Sequence, residues 1–96
     1  MISYDDFVQV DIRVGRVVSA QLLANAKYTT HKLVIDFGTE IGQKRFGAGV
    51  NTYTIEELIG RLVCGVVNMP PRQIGKTLSE VLTLGAPDKN GKVRTA

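Results

Sequence analysis

Ile12 and Val14 alternate with Asp11 and Arg13 near the start of the chain, the two-residue period of a strand that buries one face. The β-branched stretch to which they belong runs from Val10 to Leu22 and loses its alternation at Val17-Val18, just beyond Gly15. A glycine where the phase is lost predicts a bulge or bend, by which one long strand serves two parts of a small barrel. Leu33, Ile35 and Phe37 alternate with Lys32, Val34 and Asp36 and predict a second strand. Gly38 and Gly42 bracket a turn, after which Lys44 to Val50 reads as a third strand. Gly47 and Gly49 weaken that strand and leave room for another chain or a ligand to approach its backbone. In Thr54-Ile55-Glu56-Glu57 the threonine can accept the backbone N–H of Glu57 while the glutamate reaches back, which predicts a helix start. Gly60 stops that helix early. Leu62 to Val67 is almost wholly apolar and gives a fourth strand; Glu80 to Leu84 gives a fifth.

Three strands, a short helix and two more strands is the element order of an OB-fold, a five-stranded, partly open barrel with its helix between strands three and four. The predicted fold is all-β, with one domain over residues 1–88 and a polar C-terminal tail over 89–96, where Lys89-Asn90-Gly91-Lys92 has no strand pattern. Ahead of the barrel, Ser3-Tyr4-Asp5-Asp6-Phe7 predicts one capped helical turn, since Ser3 suits the cap and the acids suit the positive helix end. A chain of 96 residues, 44% apolar and 22% charged, can bury one core and has the balance of a folded globular domain. No apolar run approaches the roughly 20 residues of a membrane helix. The opening MISYDDFVQ is acidic and has no signal-peptide core. The single cysteine, Cys64, lies in an apolar run and cannot form an internal disulfide; it reads as a buried, inert thiol, and a cytoplasmic location is expected.

Charge alters this picture modestly. The net charge is +3, and Asp5, Asp6 and Asp11 crowd the N-terminus, so the remainder is more basic than the total. Lys27, His31, Lys32, Lys44, Arg45, Arg72 and Lys76 fall in or beside predicted loops and strand edges. They form either an ordinary solvated surface or an electrostatic footprint for nucleic acid. Gly75-Lys76-Thr77 imitates the end of a phosphate-binding P-loop, but the glycine needed five positions earlier is Pro70, followed by Pro71. Proline fixes φ and offers no N–H, so no phosphate cradle forms there. One histidine and one cysteine cannot build an imidazole or thiolate metal site. Ser79, His31 and Asp36 make a triad only on paper, without a nucleophile elbow. His31 is expected in a surface loop, and neither catalysis nor a cofactor is expected. The residues suit binding.

The blocks DFVQVDIRVGRVVSA, HKLVIDFGTEIGQKRFGAGV, YTIEELIGRLVCGVVNMPPRQIG and SEVLTLGAPD occur in that order over roughly residues 3 to 87. Together they resemble the tRNA-binding OB-fold family, which includes domains appended to aminoacyl-tRNA synthetases and free-standing dimeric proteins. KLVIDFGTEIG and VVNMPPRQIG with SEVLTLGAP are most similar to its CsaA-like subgroup of secretion chaperones. The resemblance implies a homodimer, and Val8, Val10 and Val93 at the chain ends are residues that an isologous interface could cover. It also implies two candidate ligands. As a chaperone the chain would hold unfolded or precursor polypeptides, with Phe46, Asn68, Met69 and Pro70 as contacts; Phe46 and Met69 suit core packing equally well. As an RNA binder it would take tRNA or another structured RNA through Lys32, Lys44, Arg45, Arg72 and Lys76. Ser79 joins that set as the residue matching the family's Ser-x-Gly-Met segment, which here reads Ser79-Glu80-Val81-Leu82. Lys44-Arg45-Phe46-Gly47-Ala48-Gly49 stands where a more polar third strand is expected in this subgroup. Pro70 to Thr77 then reads as a binding loop between strands four and five. The shortage of aromatics on the face, Phe46 apart, favours readout of shape and phosphates over base stacking. A third reading is a scaffold that docks to a synthetase or export component.

Overall fold

The computed structural model describes residues 1–24, 29–48, 54–74, 77–87, 89 and 93–95. In chain order the elements are α1 (Tyr4–Val8), β1 (Ile12–Ala24), β2 (Thr29–Asp36), β3 (Gln43–Ala48), α2 (Ile55–Leu58), β4 (Leu62–Val66), β5 (Arg72–Ile74), β6 (Thr77–Ser79), β7 (Leu82–Thr83), β8 (Gly85–Pro87) and β9 (Val93–Thr95). One antiparallel sheet has the order β3-β2-β1-β4-β7. It curls into a half-barrel with α2 between β3 and β4, the OB-like arrangement that the element order predicts.

The curl depends on one extra residue in β1. Val17 pairs with Ile35 and Ser19 with Val34, so Val18 has no partner on β2. Such a bulge bends a strand and raises its twist. The first part of β1 therefore pairs with β4, from Ile12↔Val66 to Arg16↔Leu62, while the strand continues along β2 to Ala24↔Thr29. The bulge lies at Val18, not at Gly15. Gly15 instead makes room: a Cβ there would lie 2.6 Å from Ile35 Cγ2 and 2.8 Å from the Phe37 ring. Gly65 does the same on β4, where a Cβ would meet Val81 Cγ2 at 2.7 Å and Phe37 Cζ at 3.1 Å. The two glycines form a seat for Phe37, around which Val17, Leu33, Ile35, Leu58, Val63 and Val81 complete the buried core. Burial of each such large side chain contributes about 1.5–3 kcal/mol.

Leu58 reaches that core from α2, whose start is built as its sequence predicts. Thr54 Oγ1 accepts the Glu57 N–H at 3.2 Å, and Glu57 Oε1 accepts the Thr54 N–H at 3.0 Å. The exit of α2 is tied to β1: Gly60 N–H donates to the Val17 carbonyl at 2.7 Å, and Val17 N–H to the Arg61 carbonyl at 2.9 Å. α1 has the same capping box through Ser3 and Asp6 and buries none of its side chains.

Two expectations about strands change, and one bound of a third strand is not tested. The described part of β3 ends at Ala48, and Gly49 and Val50 lie outside the described residues. The expected fifth strand over Glu80–Leu84 is interrupted: β6 ends at Ser79 and β7 begins at Leu82. In between, the chain crosses from the β3 side of the barrel to the β4 edge, burying Val81 on the way. Finally, Val93–Thr95 pairs with β8, from Gly85↔Thr95 to Pro87↔Val93, so part of the expected tail is strand. Three residues are too few for a period to register.

Candidate nucleic-acid interface

β5 and β6 form a hairpin with Arg72↔Ser79, Gln73↔Leu78 and Ile74↔Thr77 in register. Its Ile74–Thr77 side covers Gly47 of β3, where a Cβ would lie 3.1 Å from Ile74 Cβ and 3.2 Å from Thr77 Cβ. The close approach expected at this glycine is therefore made by the chain's own hairpin. Gly47 N–H donates to Ser79 Oγ at 3.2 Å. Glu80 N–H donates to the Arg45 carbonyl at 2.8 Å. Glu80 Oε1 accepts from both the Arg45 main-chain N–H and Arg45 Nε, each at 3.0 Å. These bonds fasten the hairpin to the edge of the sheet.

Cations gather at this joint. Lys32 pairs with Gly47 across β2 and β3, and Arg45, two residues before Gly47, shares its face of the strand. Arg72 lies two residues from Ile74, on the same face of the hairpin. Lys44, next to Arg45, points to the opposite face by the same alternation and is half-buried. Lys76 lies outside the described residues. Among the described residues, Lys32 and Arg72 make no ion pair, whereas Arg45 is paired with Glu80. Hydrogen bonds from the Arg45 side chain and backbone hold the Glu80 carboxyl below its ordinary range, against a smaller opposing effect of burial. Arg13 and Arg16 are engaged elsewhere, Arg13 with Asp11 and Glu40, and Arg16 with the Gly60 carbonyl.

Several expected contacts have other positions. Ser79 is 7% exposed, and its hydroxyl accepts from Gly47 and donates to the Val81 carbonyl at 3.2 Å. It holds the hairpin to β3. Asn68 spends both ends of its amide on the N-terminal arm: Oδ1 accepts the Asp11 N–H at 3.0 Å, and Nδ2 donates to the Gln9 carbonyl at 2.7 Å. Phe46 is half-buried and packs against the core beside Leu33. Met69 and Pro70 are exposed. His31, expected in a surface loop, is 4% exposed on β2. The alternation that buries Leu33 and Ile35 extends back to it.

Sequence reasoning missed three features. Glu80 carries no local signal because its partner is 35 residues away. The Thr77 hydroxyl is buried without a hydrogen-bond partner among the described residues. Ile12, Val14, Leu62 and Leu82 are exposed apolar residues on β1, β4 and β7, and Ile12, Val66 and Leu82 stand in one row across these strands. Val8 and Val10 are exposed as expected, and the Val93 side chain lies outside the description.

The curled half-barrel is an OB-like fold, with a group of cations where the β5–β6 hairpin meets β3. The family described as a putative tRNA binding domain matches residues 12–96, and the chain belongs to that family. It is 40% identical over 91 residues to methionine–tRNA ligase of Nitrosomonas europaea, covering 94% of this chain and 12% of the ligase. The chain thus spans a small fraction of the curated relatives it matches. Among solved structures, a CsaA chaperone protein from Picrophilus torridus superposes with a TM-score of 0.87 at 42% identity, over 100% of this chain and 91% of that one. Chaperone CsaA from Bacillus anthracis str. Ames gives 0.87 at 37% identity, over 100% and 87%. No helix among the described residues is long and apolar enough to cross a membrane.

Proposed function

We propose that this chain is a binding protein for structured RNA, with tRNA the first candidate, and that it engages phosphates at the joint between β3 and the β5–β6 hairpin. The observation that carries this reading is the placing of Lys32, Arg45 and Arg72 around Gly47. Each phosphate neutralised there would release condensed counterions, a sequence-independent gain that depends on salt. Selectivity would come from RNA shape, since phosphate contacts position a ligand without reading its bases. The fastened hairpin holds the cations on a rigid frame, which lowers the ordering cost of binding. Family membership and the likeness to ligases named for tRNA support this reading. The proposed role is binding without catalysis, in the cytoplasm.

A second reading, a chaperone for unfolded or precursor polypeptides, is favoured by the exposed Met69 and Pro70 close to Arg72 and by neighbours named as chaperones. Phe46 and Asn68 are engaged within the chain, which leaves that reading fewer contacts. On either reading the proposed assembly is a homodimer. Ile12, Val14, Leu62 and Leu82, with Phe7, Val8 and Val10 of the N-terminal arm, supply exposed apolar surface that a second copy could cover. Light scattering should then report twice the chain mass, and a clean monomer would end the dimer proposal.

The test between ligands is a salt titration of tRNA, an unrelated duplex RNA and an unfolded polypeptide. About four neutralised phosphates give log K against log salt a slope on the order of −3. Replacing Arg72 and Lys76 together by Gln should flatten it by nearly two units and weaken all RNAs alike. A polypeptide bound more tightly than tRNA, with little salt dependence, would reverse the order of the two readings.

A further inference from the structure

Among the described residues, the ion pair made by a cation of this joint is Arg45 with Glu80. The pair is open to solvent, with side chains 46% and 27% exposed. One carboxylate oxygen, Oε1, serves the Arg45 main-chain N–H and Nε, while the Glu80 N–H to Arg45 carbonyl bond closes the barrel independently. The two bonds at Oε1 therefore need an acceptor but not a negative charge, since a neutral amide oxygen accepts the same bonds. The charge itself does something else. It takes the Arg45 Nε–H, one of the guanidinium donors that a phosphate oxygen would use.

We propose that Glu80 is a resident competitor for phosphate at Arg45 and thereby a specificity-determining residue of the RNA surface; this rests on the RNA-binding reading above. An RNA that meets the joint through Arg45 must displace Glu80 or lie beside its charge. Loose contact by any polyanion is weakened, whereas an RNA whose shape also engages Lys32 and Arg72 retains those contacts. Selectivity built from a repulsive element acts in this way, by lowering affinity for the wrong ligand more than for the right one.

The test uses Glu80→Gln, which keeps the acceptor and removes the charge, and the double variant Arg45→Gln/Glu80→Gln, which removes the pair. Binding of a tRNA transcript and an unrelated RNA duplex is followed by fluorescence anisotropy between about 50 and 200 mM salt. Glu80→Gln should tighten the duplex about fivefold and tRNA about twofold, within the range of an exposed charge pair. Its salt slopes should steepen by up to about 0.9, one further phosphate neutralised. The double variant should lose that tightening and bind the duplex about fivefold more weakly than Glu80→Gln alone. A merely structural Glu80 gives the opposite sign: Glu80→Gln binds more weakly and melts earlier. Unchanged duplex binding, or equal tightening of both RNAs, overturns the competitor role. If Glu80→Gln does not fold, the double variant decides, and its loss of tRNA binding would make Arg45 the contact and Glu80 its support. A wild type that binds neither RNA overturns the RNA reading and this role with it; one that binds while Glu80→Gln changes nothing overturns this role alone.

Discussion

The hairpin β5–β6 and the ribbon β8–β9 are both antiparallel pairs of three-residue strands outside the main sheet, but they are held differently. Both strands of the hairpin contact β3, with Ile74 and Thr77 set over Gly47 and with Ser79 and Glu80 bonded to that strand. β8 and β9 contact chiefly each other. An isolated two-stranded ribbon is marginal in water, and β8–β9 has no comparable seat on the main sheet among the described residues. Strand length does not separate the two cases. The socket does, and the cations of the proposed interface lie on and around the fastened hairpin.

The comparison breaks most visibly at the socket. Gly47→Val forces a branched side chain into a space already tight for a Cβ and should cost about 3 kcal/mol through overpacking. Urea unfolding measures this, and an unchanged midpoint would mean that the hairpin is not seated there. Ser79→Ala should cost about 1–2 kcal/mol, because the Gly47 N–H loses its acceptor in a buried place; a loss below experimental error would show that water replaces the hydroxyl. Thr77→Val removes a buried hydroxyl that has no partner among the described residues and keeps the shape. It should be neutral or stabilise by up to about 1 kcal/mol, and clear destabilisation would reveal a bond that the hydroxyl makes. Removing residues 89–96 takes away β9, with the smallest effect on the barrel: a cooperative thermal transition shifted by only a few degrees. Loss of that transition would place the ribbon among the fastened parts.

Where the physics is local, the chain announces it. The two capping boxes, the alternation of β2 and the element order of the barrel each depend on neighbours within a few positions, and each reads directly. Gly15 shows the limit, since a glycine in a strand either bends it or makes room, and only the position of Phe37 distinguishes the two. The crossing at Glu80-Val81 was hidden because its apolar pattern continues into Leu82 while its pairing partners change. Ile74 and Thr77, with only Gly75-Lys76 between them, have the spacing of a tight hairpin, hidden by the two prolines before them. In the interface, Lys32, Arg45 and Arg72 were recognisable by type, and the structure brings them to one joint. Ser79 and Asn68 carry bonds within the chain that no local pattern announces, because they reach Gly47, Gln9 and Asp11 over 32 to 59 residues.

The seat beneath Phe37 ties several positions into one evolutionary unit. Gly15 and Gly65 can each gain a side chain only if Phe37, or the Ile35 and Val81 beside it, first gives up volume. Enlarging a glycine alone overpacks the seat, and shrinking Phe37 alone leaves a cavity, so either step passes through a less stable intermediate. Substitutions at 15, 37, 65 and 81 are therefore epistatic, each tolerated in a background set by the others. A Gly→Ala exchange elsewhere often stabilises by restricting the unfolded chain; at Gly15 it becomes acceptable only alongside smaller residues at 35 and 37, and at Gly65 alongside a smaller residue at 81. Drift in this part of the barrel proceeds in paired steps, and relatives should show those positions changing together.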